Sequence, residues 1–206
     1  MKKITLFIAI EILLLSVIFA QKYKPDHLSI AVTTMHTALP FGSFSNLFVK
    51  EFHPGFELGT GFNWSGTRSE KSKRKHDWFQ TFQFGYSYQR WVQHSLVFYT
   101  QFGYRYKLPK GFNLETKLGG GYMRAIIATE VFSDGQAGST QYGKITSGRS
   151  QAIINLGFNV NKQFGSKPLK VFLEYEQRLQ TPFIQYYVSL LPYNYLKLGI
   201  AVSLHR

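Results

Sequence analysis

The chain has 206 residues, room for one domain, with 17% charged residues, 17% aromatic residues and no Cys. Lacking Cys, it can form no disulfide, thiolate metal site, cysteine nucleophile or lipoprotein-type anchor. Its net charge of +13 raises nucleic acid as a partner, but the basic residues neither follow one helix nor fall in a recognised motif, so no nucleic acid is expected and phosphorylated lipids are the simpler anionic neighbour.

The N-terminus pairs a short positive region, residues 1–3, with an apolar run over 4–19 that Glu11 interrupts. Ala20 supplies a small residue at a cleavage point. This pattern predicts a secretory signal peptide over residues 1–20 and an exported chain over 21–206. An anchor helix fits less well, because Glu11 near its middle would be costly in lipid.

From residue 28 onward the chain alternates. The first strand is expected near 28–36, with Leu28, Ile30, Val32 and Thr34 on one face. A long segment follows over 37–53, holding Pro40, Gly42 and the apolar group Phe44, Leu47, Phe48 and Phe52. The second strand, near 54–65, sets Phe56, Leu58, Thr60, Phe62 and Trp64 against Glu57, Gly59, Gly61 and Asn63. The connection 66–77 carries five basic residues, Arg68, Lys71, Lys73, Arg74 and Lys75. It reads as a solvated connector or as a contact with phosphates or an acidic partner.

Strands three and four, near 78–91 and 95–108, give the clearest alternation in the chain. Phe82, Phe84, Tyr86 and Tyr88 share one parity, and so do Leu96, Phe98, Phe102, Tyr104, Tyr106 and Leu108. The opposite parity is mostly small, polar or charged. A period of two means a strand with two unlike faces. Its length and aromatic bias point to a transmembrane hairpin, lipid outside and polar lumen inside. Pro109–Lys110–Gly111 makes a tight turn. The fifth strand is expected near 112–127, then a Gly/Ser/Thr-rich excursion over 128–149. The sixth is expected near 150–164, the seventh near 169–180 and the eighth near 194–205.

The resulting fold class is all-β: an eight-stranded antiparallel up-and-down transmembrane β-barrel with both termini periplasmic. An even strand number lets the sheet close with no exposed edge in lipid. The signal peptide, eight alternating strands and aromatic girdles resemble the small outer-membrane barrels, the OmpX/OmpW-like group and the PorT-like barrels of Bacteroidota. The resemblance covers nearly the whole exported chain and is architectural. One departure is the end, Leu204–His205–Arg206, where many such barrels finish on an aromatic residue. The resemblance implies the outer membrane of a Gram-negative bacterium, with lipopolysaccharide among the lipid neighbours.

Parity alone places nine charged residues inside: Glu57, Arg105, Lys107, Glu115, Lys117, Glu174, Glu176, Arg178 and Lys197. An eight-stranded barrel is narrow enough for side chains to fill it. Buried charges must be paired, so a charge network that plugs the lumen is expected. The alternative is a narrow path for ions or small solutes. Inward glycines make room for bulky neighbours.

Lipid A-modifying enzymes exist among barrels of this kind and use His with Ser and a carboxylate. His36 and His53 would lie near Ser43 and Ser45, but no acidic residue is placed to orient either ring. No metal-ligand spacing and no phosphate loop appears, so neither catalysis nor a cofactor or metal is expected. The segment 181–193 is too apolar for a solvated loop. Phe183, Ile184, Tyr186, Tyr187, Leu190 and Leu191 make it a candidate contact for another outer-membrane protein. Three functions therefore stand open: a non-enzymatic accessory or structural subunit of a larger outer-membrane assembly, a narrow channel, or a lipid A-modifying enzyme.

Overall fold

A computed structural model describes residues 25–37, 52–64, 75–90, 93–127, 148–164, 168–182 and 190–204. The strands are β1 (His27–Thr37), β2 (Pro54–Asn63), β3 (His76–Gln89), β4 (Gln93–Lys107), β5 (Phe112–Ile127), β6 (Arg149–Gln163), β7 (Leu169–Thr181) and β8 (Leu191–Ser203). Each pairs antiparallel with its chain neighbour, and β8 returns to β1 to close the barrel. Every strand has ten or more residues, enough to cross a hydrocarbon core when tilted. The all-β, eight-stranded up-and-down barrel predicted from alternation is the observed fold.

The reason is visible residue by residue. In β4 the odd-numbered residues from Gln93 to Gly103 are buried in the lumen, while Phe98 and Phe102 stand outside and exposed. The same parity holds around the wall. Leu118, facing out from β5, is 61% exposed. The outer surface is thus an apolar band, with Val32, Leu58, Ile154, Leu173 and Leu198 on other strands.

Aromatic rows border this band at both ends. At the end carrying the turns and termini, Trp78 packs edge-on to Tyr104 with centroids 5.1 Å apart. At the other end, which carries the long connections, Tyr88 lies 4.8 Å from the His94 ring. There the Tyr86 hydroxyl meets His94 Nδ1 at 2.8 Å. Such polar-tipped rings favour a membrane–water boundary.

Inward glycines receive the large inward side chains. A Cβ on Gly103 would meet the Phe79 ring at 2.3 Å, and one on Gly199 the Phe172 ring at 2.4 Å. Phe172, the aromatic residue on an otherwise polar inner row, sits over that glycine. Gly119 and Gly121 differ in kind. A Cβ there would strike the backbone of β4, 2.0 Å from the Thr100 carbonyl oxygen and 2.2 Å from that of Phe98. This close approach lets β5 press against β4 as the sheet curls. In the turn Pro109–Gly111, Lys110 and Gly111 both take positive φ, 62° and 79°.

Several boundaries differ from the sequence reading. β3 begins at His76 rather than residue 78, which brings Asp77 into the lumen. The connection before β4 is shorter, because Gln93 and His94 belong to the strand. β8 begins at Leu191 rather than residue 194, since the tyrosines at 193 and 195 continue its alternation inward. The apolar segment 181–193 is therefore largely strand at its two ends.

Candidate functional site

The inner face of the barrel is where charged chemistry concentrates. All nine parity-assigned residues lie on inward positions, and eight of them form one connected network. Arg105 Nε donates to Glu115 at 2.6 Å. Lys117 stands 3.9 Å from Glu115 and 2.5 Å from Glu174. Lys197 lies 3.6 Å from Glu174 and donates at 2.7 Å to both Glu57 and Glu176. Arg178 closes the set, donating to Glu176 at 2.6 and 2.9 Å and to Glu57 at 3.0 Å. Four cations balance four anions. Lys107 stands apart and pairs with Asp77 at 2.8 Å.

Neutral side chains complete the network. The Tyr99 hydroxyl donates to Glu57 at 2.8 Å and accepts from Lys197 at 2.7 Å. The Arg178 guanidinium lies between two rings, 4.7 Å from Tyr99 and 4.2 Å from Tyr195. Gln101 donates to Glu176 at 3.1 Å. A ladder of amides runs from Asn113 to Asn161 to Asn159 and reaches Glu174 at 3.0 Å. Most of the buried charge is thus paired and hydrogen-bonded, although Arg178 Nη1 has no partner among the described residues.

Above the network, towards the long connections, the lumen turns apolar. Val97, Tyr99, Met123 and Ile153 form one buried cluster. Met35, Tyr193 and Tyr195 form a second, with Leu191 packed against it. A glutamine layer covers them: Gln93 donates to Ser95 at 3.1 Å, and Gln180 donates to Gln151. On the turn side, a chamber of about 30 Å³ remains against the network, lined by Glu57, Arg105, Glu115, Lys117, Glu174 and Lys197 together with His27, Phe79, Lys170 and Phe172. That holds a water or two. Lys170 has no ion-pair partner among the described residues.

Residues that sequence reasoning missed were within reach of it. Tyr99 and Gln101 share the inward parity of Arg105, and their rows needed only to be read for hydrogen-bond capacity as well as charge. Asp77 was lost to a strand boundary set one turn of the pleat too late.

The candidate contact segment is divided. Leu191 is corrected to a lumen residue: it points inward and packs on Met35 and the tyrosines. Leu190 is 56% exposed. Phe183, Ile184, Tyr186 and Tyr187 lie outside the described residues, as do Ser43 and Ser45. The His36 and His53 rings approach to 5.8 Å at the same end.

No protein-family model and no curated protein matches the chain. Among solved structures it is similar to neisserial surface protein A, at 7% identity over 86% of this chain and 95% of that one, TM-score 0.49. The attachment invasion locus protein Ail of Yersinia pestis gives 11% identity, 87% and 97% coverage and a TM-score of 0.49. The outer membrane enzyme PagL gives 12%, 85% and 98%, and 0.47.

Proposed function

We propose that the chain is a non-enzymatic, integral outer-membrane β-barrel of a Gram-negative bacterium, acting as an accessory or structural subunit of a larger outer-membrane assembly. The observation that carries this reading is the filled lumen. Among the described residues, the inner rows leave a chamber of about 30 Å³ lined in part by a neutral charge network and capped by two apolar clusters. With room for little more than water among the described inner rows, this reading has the barrel act through its wall, its rims and its connections.

Membrane insertion is supported by the wall. Its apolar band, bordered by Trp78 and Tyr104 at one end and Tyr86 and Tyr88 at the other, would be an exposed patch around the whole circumference in water. A closed sheet pairs every backbone group, as a hydrocarbon medium demands. With both termini periplasmic, connections 38–53, 128–148 and 182–190 face the lipopolysaccharide leaflet, where other outer-membrane proteins would dock. Kinship with OmpX/OmpW-like or PorT-like barrels belongs to the same proposal.

The test is purification of the tagged, full-length chain from gently solubilised membranes. Stoichiometric recovery of other outer-membrane proteins is expected. A chain recovered alone at every detergent strength refutes the subunit role.

A further inference from the structure

The charge of the chain is not spread around the barrel. At the turn end, the segments that flank or join the strands are 21–26, 64–76, 107–112, 162–170 and 203–206. Together they carry thirteen Lys or Arg against two Asp or Glu. The segments of the opposite end, 37–53, 90–93, 127–149 and 181–191, carry four against three. By sequence, then, the segments of the turn end carry most of the net charge of +13.

The described part of this rim has a definite build. Lys75 and Lys107 lie side by side, the Lys107 N–H donating to the Lys75 carbonyl at 2.7 Å. Lys110 is at the exposed tip of the Pro109–Gly111 turn. Lys162 lies opposite Phe112 in the β5–β6 pair, its ammonium 4.9 Å from the Phe112 ring and 5.5 Å from that of Phe164. Lys107 is held by Asp77. Lys75, Lys110 and Lys162 have no carboxylate partner among the described residues.

Their depth identifies the partner. Trp78, Tyr104 and Tyr106 line the outer wall just inside Lys75, Phe112 follows the Lys110 turn, and Lys162 lies level with Phe112, between it and Phe164. Rings of this kind rest at the headgroup level. Lys75 and Lys110, beyond these rings, would reach the plane of the phosphates, and the Lys162 ammonium lies over two rings at the same level as the aromatic row. An ammonium is a compact charge suited to phosphate. We propose that this rim binds the headgroup phosphates of anionic phospholipids, with Lys75, Lys110 and Lys162 as the contacts. An acidic protein segment would match the charge but not the aromatic row beneath it. The proposal rests on the barrel spanning a membrane.

The test uses the full chain in phosphatidylcholine vesicles with trace spin-labelled phosphatidylglycerol or phosphatidylcholine. The motionally restricted fraction of each label is measured at low and high salt. Preferential restriction of the phosphatidylglycerol label is expected, up to about fivefold for each lysine in full contact, and it weakens in high salt. The Lys75→Gln/Lys110→Gln/Lys162→Gln variant loses most of the preference, while Arg90→Gln at the opposite end keeps it. Unchanged migration on unheated gels shows that the variants fold. Equal restriction of the two labels, or a preference that survives the triple substitution, overturns the proposal. So does binding of a polyglutamate peptide in detergent without lipid preference, which assigns the rim to an acidic protein. Absence of restricted label of either kind refutes the membrane reading itself, and the proposal with it.

Discussion

Replacing Arg178 by methionine keeps much of the side-chain volume and removes the charge that two carboxylates face. Arg178 is 1% exposed and gives Glu176 two hydrogen bonds, at 2.6 and 2.9 Å, and Glu57 one at 3.0 Å. Without it, Lys197 is the cation left to both carboxylates, beside the neutral donors Tyr99 and Gln101, and the balanced network of eight carries a net negative charge. Removing one member of a buried ion pair costs about 3–5 kcal/mol, because the partner stays buried and uncompensated. The additional change Glu176→Gln restores neutrality. The double variant is then expected to be more stable than the sum of the single effects implies, by roughly 1–3 kcal/mol of coupling. The assay is urea unfolding of the barrel in vesicles, with folded and unfolded chains separated on unheated gels. A single-variant loss below about 1 kcal/mol, well under the cost of a stranded buried charge, would show that water screens the network. Strict additivity in the double variant would do the same. Either result refutes a tightly coupled charge network in the lumen.

Three further outcomes follow from the wall, the backbone and the plug. Leu118→Arg, in the middle of the outer band, is expected to destabilise the barrel in vesicles by about 2–4 kcal/mol, and Trp78→Arg near the boundary by only about 0–1; no cost at Leu118 in the same urea titration would mean the wall does not face lipid. Gly121→Ala, whose Cβ meets the Phe98 carbonyl oxygen at 2.2 Å, is expected to lower the folded fraction on unheated gels far more than Gly157→Ala, whose nearest neighbour is the Glu174 carboxylate at 3.3 Å; equal effects would contradict the tight β4–β5 approach. Planar-bilayer recording of the purified chain is expected to show no stepwise conductance, and reproducible steps would reopen the channel reading.

Which face each residue occupies was legible in the alternation, because a strand has only two faces and this wall keeps them chemically distinct. Hence the strand number, the closed architecture and the inward positions of Glu57, Arg178 and Lys197 follow from parity. Height along the barrel does not. That Lys197 meets Glu57 across β1, while Lys107 falls to Asp77 instead of the network, depends on how far each strand is displaced along its neighbour. Parity says nothing of that displacement. Leu191 misled for a related reason. An apolar residue near a strand end reads as surface when the strand is cut short, and Tyr193 and Tyr195 were the signal that β8 extended past it.

The same indifference of parity to height gives the charge network a second consequence. A slip of two residues between neighbouring strands keeps every apolar side chain outside and every polar one inside, so the amphipathic pattern cannot reject it. Such a slip between β1 and β8 would shift Lys197 by roughly 7 Å relative to Glu57. It would part a pair now 2.7 Å apart and displace Arg178 from Glu57 as well, leaving that carboxylate without either cation. The barrel closes at this seam, where the two ends of the chain must find each other. The ions that fill its interior are therefore also a gauge for closure. They leave the wall one favourable registration among several that its oily surface would accept.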